Sequence, residues 1–315
     1  MIAAPFPRRR LMMTVIRLAR RLFFNTPVQH WRVTSGIYRW AYRRASAGGD
    51  VTAEVHGVTM TFPANDITIS PGLLGGFYEK LEIDAFVHLA ARSRTILDVG
   101  GNLGLYACLG ARELPADGRL VTFEPVPDNL AYLRRNLAQN SGGARVVVEE
   151  SAVGAREDQI TIHLSADSVG THSASAANVA RSTGQVTVPM TTIDAYVASH
   201  GLQSVDVLKV DVEGYDLAVL QGATETLRLG PSLLVEYGVS QLRNCGADPH
   251  ELVRLVCDAY EHVLLIDEVR QRVRRCSRHE LERLSERRVT YNLICVRRAE
   301  HLVALAAHEP TRCIA

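Results

Sequence analysis

The sequence has only two lysines, Lys80 and Lys209, beside 33 arginines. Its six cysteines show neither C-x-x-C nor zinc-ligand spacing, so neither a disulfide framework nor a structural metal site is indicated. Long hydrophobic runs are also missing: the longest apolar stretch of the N-terminal segment, residues 11–16, is far below the roughly 20 residues that span a bilayer. We therefore predict a cytoplasmic protein, neither secreted nor membrane-spanning.

Acidic residues are absent from residues 1–49, which contain ten arginines. Apolar residues recur there at helical spacing with arginines opposite, a pattern that predicts a basic amphipathic helix. Its apolar stripe could pack on the catalytic domain or on a partner subunit. Alternatively, residues 8–44 could contact an anionic membrane surface and place the protein peripherally at the inner face of the membrane. The net charge of +1 argues against a nucleic-acid partner.

Beyond this segment the apolar pattern predicts an α/β fold. Residues 50–93 read as small strands and a helix that lead into the core, and residues 94–300 as a domain with a mostly parallel sheet wrapped by helices. Within it, the polar and glycine-rich segment 165–184 is expected to be a hairpin insertion that overhangs the site. Residues 301–315 are expected to be a C-terminal tail. Core strands are expected near 95–99, 119–124, 144–149, 205–211, 231–237, 262–266 and 289–296, and helices near 103–112, 127–140, 215–229 and 248–260.

The stretch ILDVGGNLGLY, residues 96–106, joins a strand to a helix through a glycine turn. Glycines let backbone approach a ligand closely, and ligands of open α/β sheets bind beyond the carboxyl ends of the strands. A dinucleotide fingerprint would need glycine where Val99 stands, and Asp98 places negative charge where a pyrophosphate would lie. These two residues disfavour a nicotinamide-dependent oxidoreductase, which is the alternative enzyme class. A cofactor with a cationic group near Asp98 fits better.

Glu124 ends the next strand, twenty residues past Gly104. A carboxylate there can accept both hydroxyls of a ribose, so the ligand is expected to contain a nucleoside. S-adenosylmethionine satisfies both conditions, with its ammonium and sulfonium near Asp98 and its ribose at Glu124.

Four segments resemble the FkbM family of S-adenosylmethionine-dependent methyltransferases: ILDVGGNLGLY, VTFEPVPDNLAYLRRNLAQN, DVLKVDVEGYDLAVLQGATETL and PSLLVEY. The resemblance implies a class I methyltransferase (Rossmann-like) fold, with seven strands of which the last is antiparallel. It also implies methyl transfer to a hydroxyl of a sugar, glycolipid or polyketide-type acceptor. Gly101 stands where the family commonly has alanine, and Asp216 replaces the usual glutamate. The cofactor-binding residues that it implies are Asp98, Gly100, Asn102, Gly104, Glu124, Asn129, Ser151 and Ala152.

A hydroxyl acceptor needs a general base within hydrogen-bond reach. Asp211, at the end of the fourth strand, is the leading candidate, with Glu213 second and His172 of the insertion third. The two acids could instead cap the helix expected near residue 215. A divalent cation shared by Asp211 and Glu236 is a further alternative. The non-enzymatic alternative is a membrane-associated adaptor with a methyltransferase-like fold. Should Lys209 face the cleft, it is expected to pair with a nearby acid.

Overall fold

The computed structural model describes residues 49–75, 78–140, 142–268 and 270–306. The predicted N-terminal helix and its membrane contact through residues 8–44 lie outside the described residues. Contacts divide the chain into two compact units, residues 1–78 and 79–315. No helix among the described residues is long and apolar enough to cross a membrane.

The first unit contains the predicted hairpin. Strand β1 (Asp50–Val55) pairs antiparallel with β2 (Val58–Pro63), and helix α1 (Ile69–Gly75) follows. His56 and Gly57 at the bend both have positive φ, 49° and 82°, which suits the right-handed twist of a two-residue hairpin loop.

The second unit is built from strands and helices that alternate along most of its length. Its strands are β3 (Thr95–Val99), β4 (Arg119–Phe123), β5 (Arg145–Glu149), β6 (Ala152–Val153), β7 (Asp158–Ser165), β8 (Ser182–Thr191), β9 (Val207–Val210), β10 (Ser232–Gly238), β11 (His262–Asp267), β12 (Arg272–Arg275) and β13 (Thr290–Val296). Its helices are α2 (Lys80–Ala90), α3 (Leu105–Glu113), α4 (Pro127–Gln139), α5 (Ile193–Ser199), α6 (Asp216–Gln221), α7 (Thr224–Arg228), α8 (Val239–Asn244), α9 (Pro249–Ala259), α10 (Arg278–Ser285) and α11 (Ala299–Ala306).

The central sheet has the order β12-β11-β13-β10-β9-β3-β4-β5. Strands β10, β9, β3, β4 and β5 are parallel neighbours, and β13 runs antiparallel between β10 and β11. The predicted α/β class, with a mostly parallel sheet and an antiparallel last strand, is confirmed. An eighth strand, β12, extends the sheet antiparallel to β11. The carboxyl ends of β3, β4 and β9 therefore meet at one edge.

Two sequence-based expectations need correction. The expected helix over 215–229 is two short helices, α6 and α7, because the chain turns at Gly222, where a Cβ would come within 2.0 Å of the Gly154 carbonyl oxygen. The arginine-rich segment 270–288, which also contains Glu280, Glu282 and Glu286, predicts a solvated face from its charge pattern. The segment supplies an edge strand and a helix. Val273 of the strand is buried, 2% exposed, because alternate residues of an edge strand still face the core. Leu281 of the helix is buried as well, 0% exposed.

Strands β7 and β8 flank the predicted insertion and pair antiparallel over most of their length. Strand β6 adds to β8 in parallel orientation, so the three strands form a small second sheet. The chain between β7 and β8 includes a short 3₁₀ turn, Ala176–Asn178.

Candidate active site

The glycine turn after β3 packs directly on the chain that leaves β9. Gly100 has φ 91° and Gly104 has φ 86°, a region that glycine adopts without strain. A Cβ at Gly100 would lie 1.9 Å from the Asp211 carbonyl oxygen. The backbone N–H groups of Gly100 and Gly101 both donate to the Phe123 carbonyl, at 3.0 and 2.9 Å. The glycines thus bring the ends of β3, β4 and β9 together, and this contact is between backbones.

Replacing Gly100 by alanine should therefore lower the free energy of unfolding by about 3 kcal/mol or more, since strain at positive φ adds to a backbone clash. Gly246→Ala is the matched control, because Gly246 also has positive φ, 79°, but a Cβ there meets nothing within 4 Å. The control should lose only about 1 kcal/mol. Urea unfolding of both variants measures the difference, and equal losses would contradict the packing argument.

Asp98 lies fully buried at the end of β3, with 0% of its surface exposed. Its Oδ2 accepts a hydrogen bond from the Thr122 hydroxyl at 2.9 Å, whereas its Oδ1 has no hydrogen-bond partner. Burial raises the pKa of Asp98, opposed by the charge of Lys209 and by the Thr122 hydrogen bond. Because an unpaired buried carboxylate oxygen is costly, this atom suits the ammonium group of a ligand. The buried Oδ1 of Asn102 also has no hydrogen-bond partner.

Glu124 is buried immediately after β4. Its Oε2 accepts the backbone N–H of Asn102 at 2.7 Å, and its Oε1 accepts that of Val126 at 2.8 Å. Each carboxylate oxygen has a second lone pair, so acceptor capacity for ribose hydroxyls remains. Burial raises the pKa of Glu124 to about 7, although the two backbone hydrogen bonds oppose the shift.

This raised pKa predicts that affinity for S-adenosylhomocysteine falls as the pH drops through 7. Only the ionised carboxylate accepts hydrogen bonds with both oxygens, and it takes up a proton below its pKa. We expect binding at pH 5.5 to be up to about 30-fold weaker than at pH 8.5, because a carboxyl with a pKa of about 7 is ionised in only about 3% of molecules at pH 5.5 and almost fully at pH 8.5. Calorimetry across this range measures it. Glu124→Gln should bind weakly throughout with a flatter pH dependence, whereas an unchanged dependence would argue against the ribose role.

The other expected cofactor residues lie around this edge of the sheet. The Asn129 side-chain amide on α4 donates to the Val169 carbonyl at 3.0 Å, and its Oδ1 is buried without a hydrogen-bond partner. Ser151 follows β5 and lines a cavity of about 630 Å³ with Glu149 and Tyr196. Ala152 begins β6. Their contacts with adenine stay a prediction.

The chain after β9 forms a tight turn that Asp216 holds. Its Oδ1 accepts the N–H of Val212 at 3.2 Å, and its Oδ2 accepts that of Gly214 at 3.0 Å. Helix α6 begins at Asp216, and its preceding residue, Tyr215, makes no side-chain cap hydrogen bond. The helix-capping interpretation of Asp211 and Glu213 finds no support in these contacts. The shorter acid at 216 fits this role because its carboxylate reaches back to its own turn.

The acids at this edge differ in their neighbours. Asp211 has the Lys209 ammonium 3.3 Å from its Oδ2. Burial raises the pKa of Glu213 well above its ordinary value, and the charges of Asp211 and Asp216 raise it further. Burial also raises the pKa of Glu236 well above its ordinary value, and the negative charges of Asp211 and Glu213 raise it further. Glu213 and Glu236 are therefore favoured in the neutral form, whereas Asp211 is the acid that has a cationic partner.

Among the described residues, no group of three or more His, Cys, Asp or Glu side chains has a geometry that could hold a metal ion. Glu236 Oε2 is buried without a hydrogen-bond partner. The expected pair Asp211 and Glu236 thus lacks a third protein ligand of these types within the described chain.

The insertion contacts elements on both sides of the sheet edge. Its Val169 carbonyl accepts from Asn129, while the Ser173 hydroxyl and the Asn178 amide donate to the Glu213 carbonyl at 2.8 and 3.0 Å. The insertion therefore links α4 to the turn after β9, which is consistent with the predicted overhang.

The His172 side chain makes a hydrogen bond within the insertion. Its Nδ1 accepts the backbone N–H of Ser165 at 2.9 Å. A neutral imidazole with Nδ1 as acceptor carries its hydrogen on Nε2, so a neutral ring in this arrangement cannot deprotonate an acceptor hydroxyl. A role for His172 in binding the acceptor stays a prediction.

Several neighbours of the site were not found from the sequence. Thr122 is paired in register with Asp98 across β3 and β4, a relation that strand alignment could have revealed. Tyr106, Glu82 and Asn178 come from elements far apart in the chain, and no local pattern marks them.

The fold and the edge geometry together define an α/β protein that binds a nucleoside cofactor carrying a positive charge. Residues 98–277 match the family described as the methyltransferase FkbM domain. The chain therefore belongs to the FkbM methyltransferase family, which confirms the resemblance seen in its motifs. S-adenosylmethionine is the cofactor that this membership assigns to the site, and the unpaired Asp98 Oδ1 fits its ammonium group. Membership does not support the nicotinamide-dependent alternative.

Related proteins share parts of the chain. The hexuronic acid methyltransferase AglP of Haloferax volcanii is 28% identical over 171 residues, which cover 54% of this chain and 64% of that protein. The match thus spans less than two thirds of the relative's length. A putative O-methyltransferase from Klebsiella pneumoniae aligns over 92% of this chain and 100% of its own, with 14% identity and a TM-score of 0.42. An O-methyltransferase from Bacillus cereus in complex with SAH gives the same coverage and identity with a TM-score of 0.41.

Proposed function

We propose that this protein transfers a methyl group from S-adenosylmethionine to a hydroxyl of a sugar or another polyhydroxylated acceptor, including a glycolipid or a polyketide-type product. The observation that carries the proposal is the buried carboxylate oxygen of Asp98, which has no hydrogen-bond partner and lies at the glycine turn of an FkbM-family domain. The hexuronic acid in the name of the AglP relative supports a sugar acceptor.

Bound S-adenosylmethionine supplies an electrophilic methyl group. In our proposal Asp98 holds the ammonium group and Glu124 holds the ribose. The protein must then align the acceptor oxygen and remove its proton. Asp211 is the proposed base, because its carboxylate pairs with the Lys209 ammonium and because its backbone lies against Gly100 of the cofactor turn.

Glu213 is the proposed hydrogen-bond donor to the acceptor. Its raised pKa favours the protonated carboxyl, which can donate where an ionised one cannot. Two neighbouring acids whose surroundings push their protonation states apart suit one base and one donor. The insertion, hydrogen-bonded to the Glu213 backbone, is the proposed element that selects the acceptor.

Two measurements on the folded full-length protein test the proposal. Calorimetric titration with S-adenosylhomocysteine should show binding, and its absence would falsify the cofactor assignment. Incubation with methyl-labelled S-adenosylmethionine and a panel of hexuronide, neutral hexoside and hexosamine glycosides should give an O-methylated product. Binding without transfer to any hydroxyl acceptor would favour the adaptor alternative.

A further inference from the structure

Lys209 is a buried lysine in the middle of the sheet, and the proposed chemistry gives it no direct step. It lies in β9 with 1% of its surface exposed. Its register partner on β3 is Asp98, and the two side chains leave the same face of the sheet, as those of paired residues do. Its Nζ lies 3.3 Å from Asp211 Oδ2. The ammonium group thus pairs directly with the proposed base, on a strand whose neighbour carries the proposed cofactor acid in register with Lys209.

Aromatic packing fixes the position of this ammonium group. Nζ lies 4.2 Å from the ring centroid of Tyr106, a cation–π contact. The Tyr106 hydroxyl donates to Glu79 Oε2 at 3.0 Å, and the Phe86 ring packs edge-on at 5.1 Å between centroids. The ring under Lys209 is therefore held from two sides.

The charges that face Lys209 come from several elements. Burial by itself lowers the pKa of Lys209, but Asp211, Asp98, Glu82 and Glu79 together raise it above its ordinary value. Glu82 of α2 is itself buried and accepts a hydrogen bond from the Asn292 amide of β13. Asp211 in turn faces Glu213, Asp216 and Glu236. Lys209 is the one lysine amid these acids, so it stays charged and cannot itself act as the base.

We propose that Lys209 is a positioning residue whose ammonium group pairs with Asp211 and interacts electrostatically with Asp98 on the neighbouring strand. Its ion pair orients the Asp211 carboxylate, and it responds when the ammonium group of a cofactor reaches Asp98. This inference rests on the proposed function. The ammonium group of a cofactor at Asp98 weakens the electrostatic attraction between Asp98 and Lys209, because the two positive charges repel each other. Cofactor binding therefore strengthens the pairing of Lys209 with the base.

The presence of only two lysines makes a direct spectroscopic test possible. In protein labelled with ¹⁵N-lysine, the buried Lys209 ammonium should give an Nζ–H cross-peak at pH 7, because its hydrogens exchange slowly with water. Lys80 has a side chain 41% exposed and should exchange too fast to be seen. Lys80→Arg assigns the signal. S-adenosylhomocysteine, which carries the ammonium group, should shift the Lys209 cross-peak by more than its linewidth.

Asp211→Asn supplies the second comparison. Loss of its negative charge should move the Lys209 cross-peak or broaden it through faster exchange. In the methyl-transfer assay, Lys209→Met should lower the turnover number about 10- to 100-fold and move the acid limb of the pH profile to higher pH. Lys80→Met should change neither.

The outcomes separate the two proposals. If calorimetry shows binding of S-adenosylhomocysteine but the Lys209 signal is unmoved both by it and by Asp211→Asn, the positioning role is overturned and the methyltransferase assignment stands. If S-adenosylhomocysteine does not bind at all, the proposed function fails. The Asp211→Asn comparison then still decides whether Lys209 pairs with that acid.

Discussion

Asp98→Asn should weaken the binding of S-adenosylhomocysteine about 100-fold. The ligand's ammonium group would lose its only proposed anionic partner in a buried setting, where charge-assisted hydrogen bonds are about twice as strong as neutral ones. A 100-fold loss corresponds to about 2.7 kcal/mol. Calorimetry at pH 8, where Asp98 is more fully ionised, gives the clearest contrast.

The fold should survive this change. Asparagine has the shape of aspartate and can still accept the Thr122 hydroxyl, and it removes a buried charge that burial already disfavours. The melting temperature should therefore stay within a few degrees of wild type, since a loss of about 1 kcal/mol lowers the melting temperature of a domain of this size by about 2–4 °C. Asp117→Asn, at an exposed acid paired with Arg94, is the matched control and should bind normally. Normal affinity in Asp98→Asn would remove the central support for the cofactor site.

Asp211→Asn should lower the turnover number for methyl transfer about 10²- to 10⁴-fold, the range for loss of a general base. Affinity for S-adenosylhomocysteine should change little, because the proposed cofactor contacts lie at Asp98 and Glu124. The measurement is initial velocity with the acceptor that the glycoside panel identifies, at saturating S-adenosylmethionine.

Glu213→Gln is the informative partner of Asp211→Asn. If Glu213 acts in its neutral form, as its raised pKa favours, glutamine can replace its donor function and activity should fall less than about tenfold. The exposed Glu225→Gln variant should match wild type. A larger loss in Glu213→Gln than in Asp211→Asn would reverse the two roles.

Local patterns predicted much of the central sheet. Strand β3 falls where it was expected, and the ends of β4, β5 and β10 differ by a single residue, because each is a short apolar run between polar or glycine-rich segments. The edge strand β12 was missed, since three of its four residues are arginines and only Val273 faces inward. An amphipathic pattern of only four residues cannot be distinguished from a charged loop by sequence alone.

The expected cofactor-binding residues could also be predicted from local sequence patterns. Asp98, the glycines and Glu124 follow directly on strand ends, and parallel strands bring their carboxyl ends to one edge. The positions of these residues at the strand ends were therefore enough to predict that they lie close together. The sequence did not reveal that Gly100 serves a contact with backbone at Asp211, because that approach joins residues more than a hundred positions apart.

The sequence by itself determined the fold class, the family and the acids at the strand ends, because these depend on short-range periodicity and on contiguous motifs. Only the tertiary structure decided which acids have raised pKa values. Burial and Coulomb interactions act through space, and the charges that matter come from residues 79 to 236. The same is true of Lys209: the sequence shows a lysine in an apolar strand, and only packing places Tyr106 beneath it and the Asp211 carboxylate beside it.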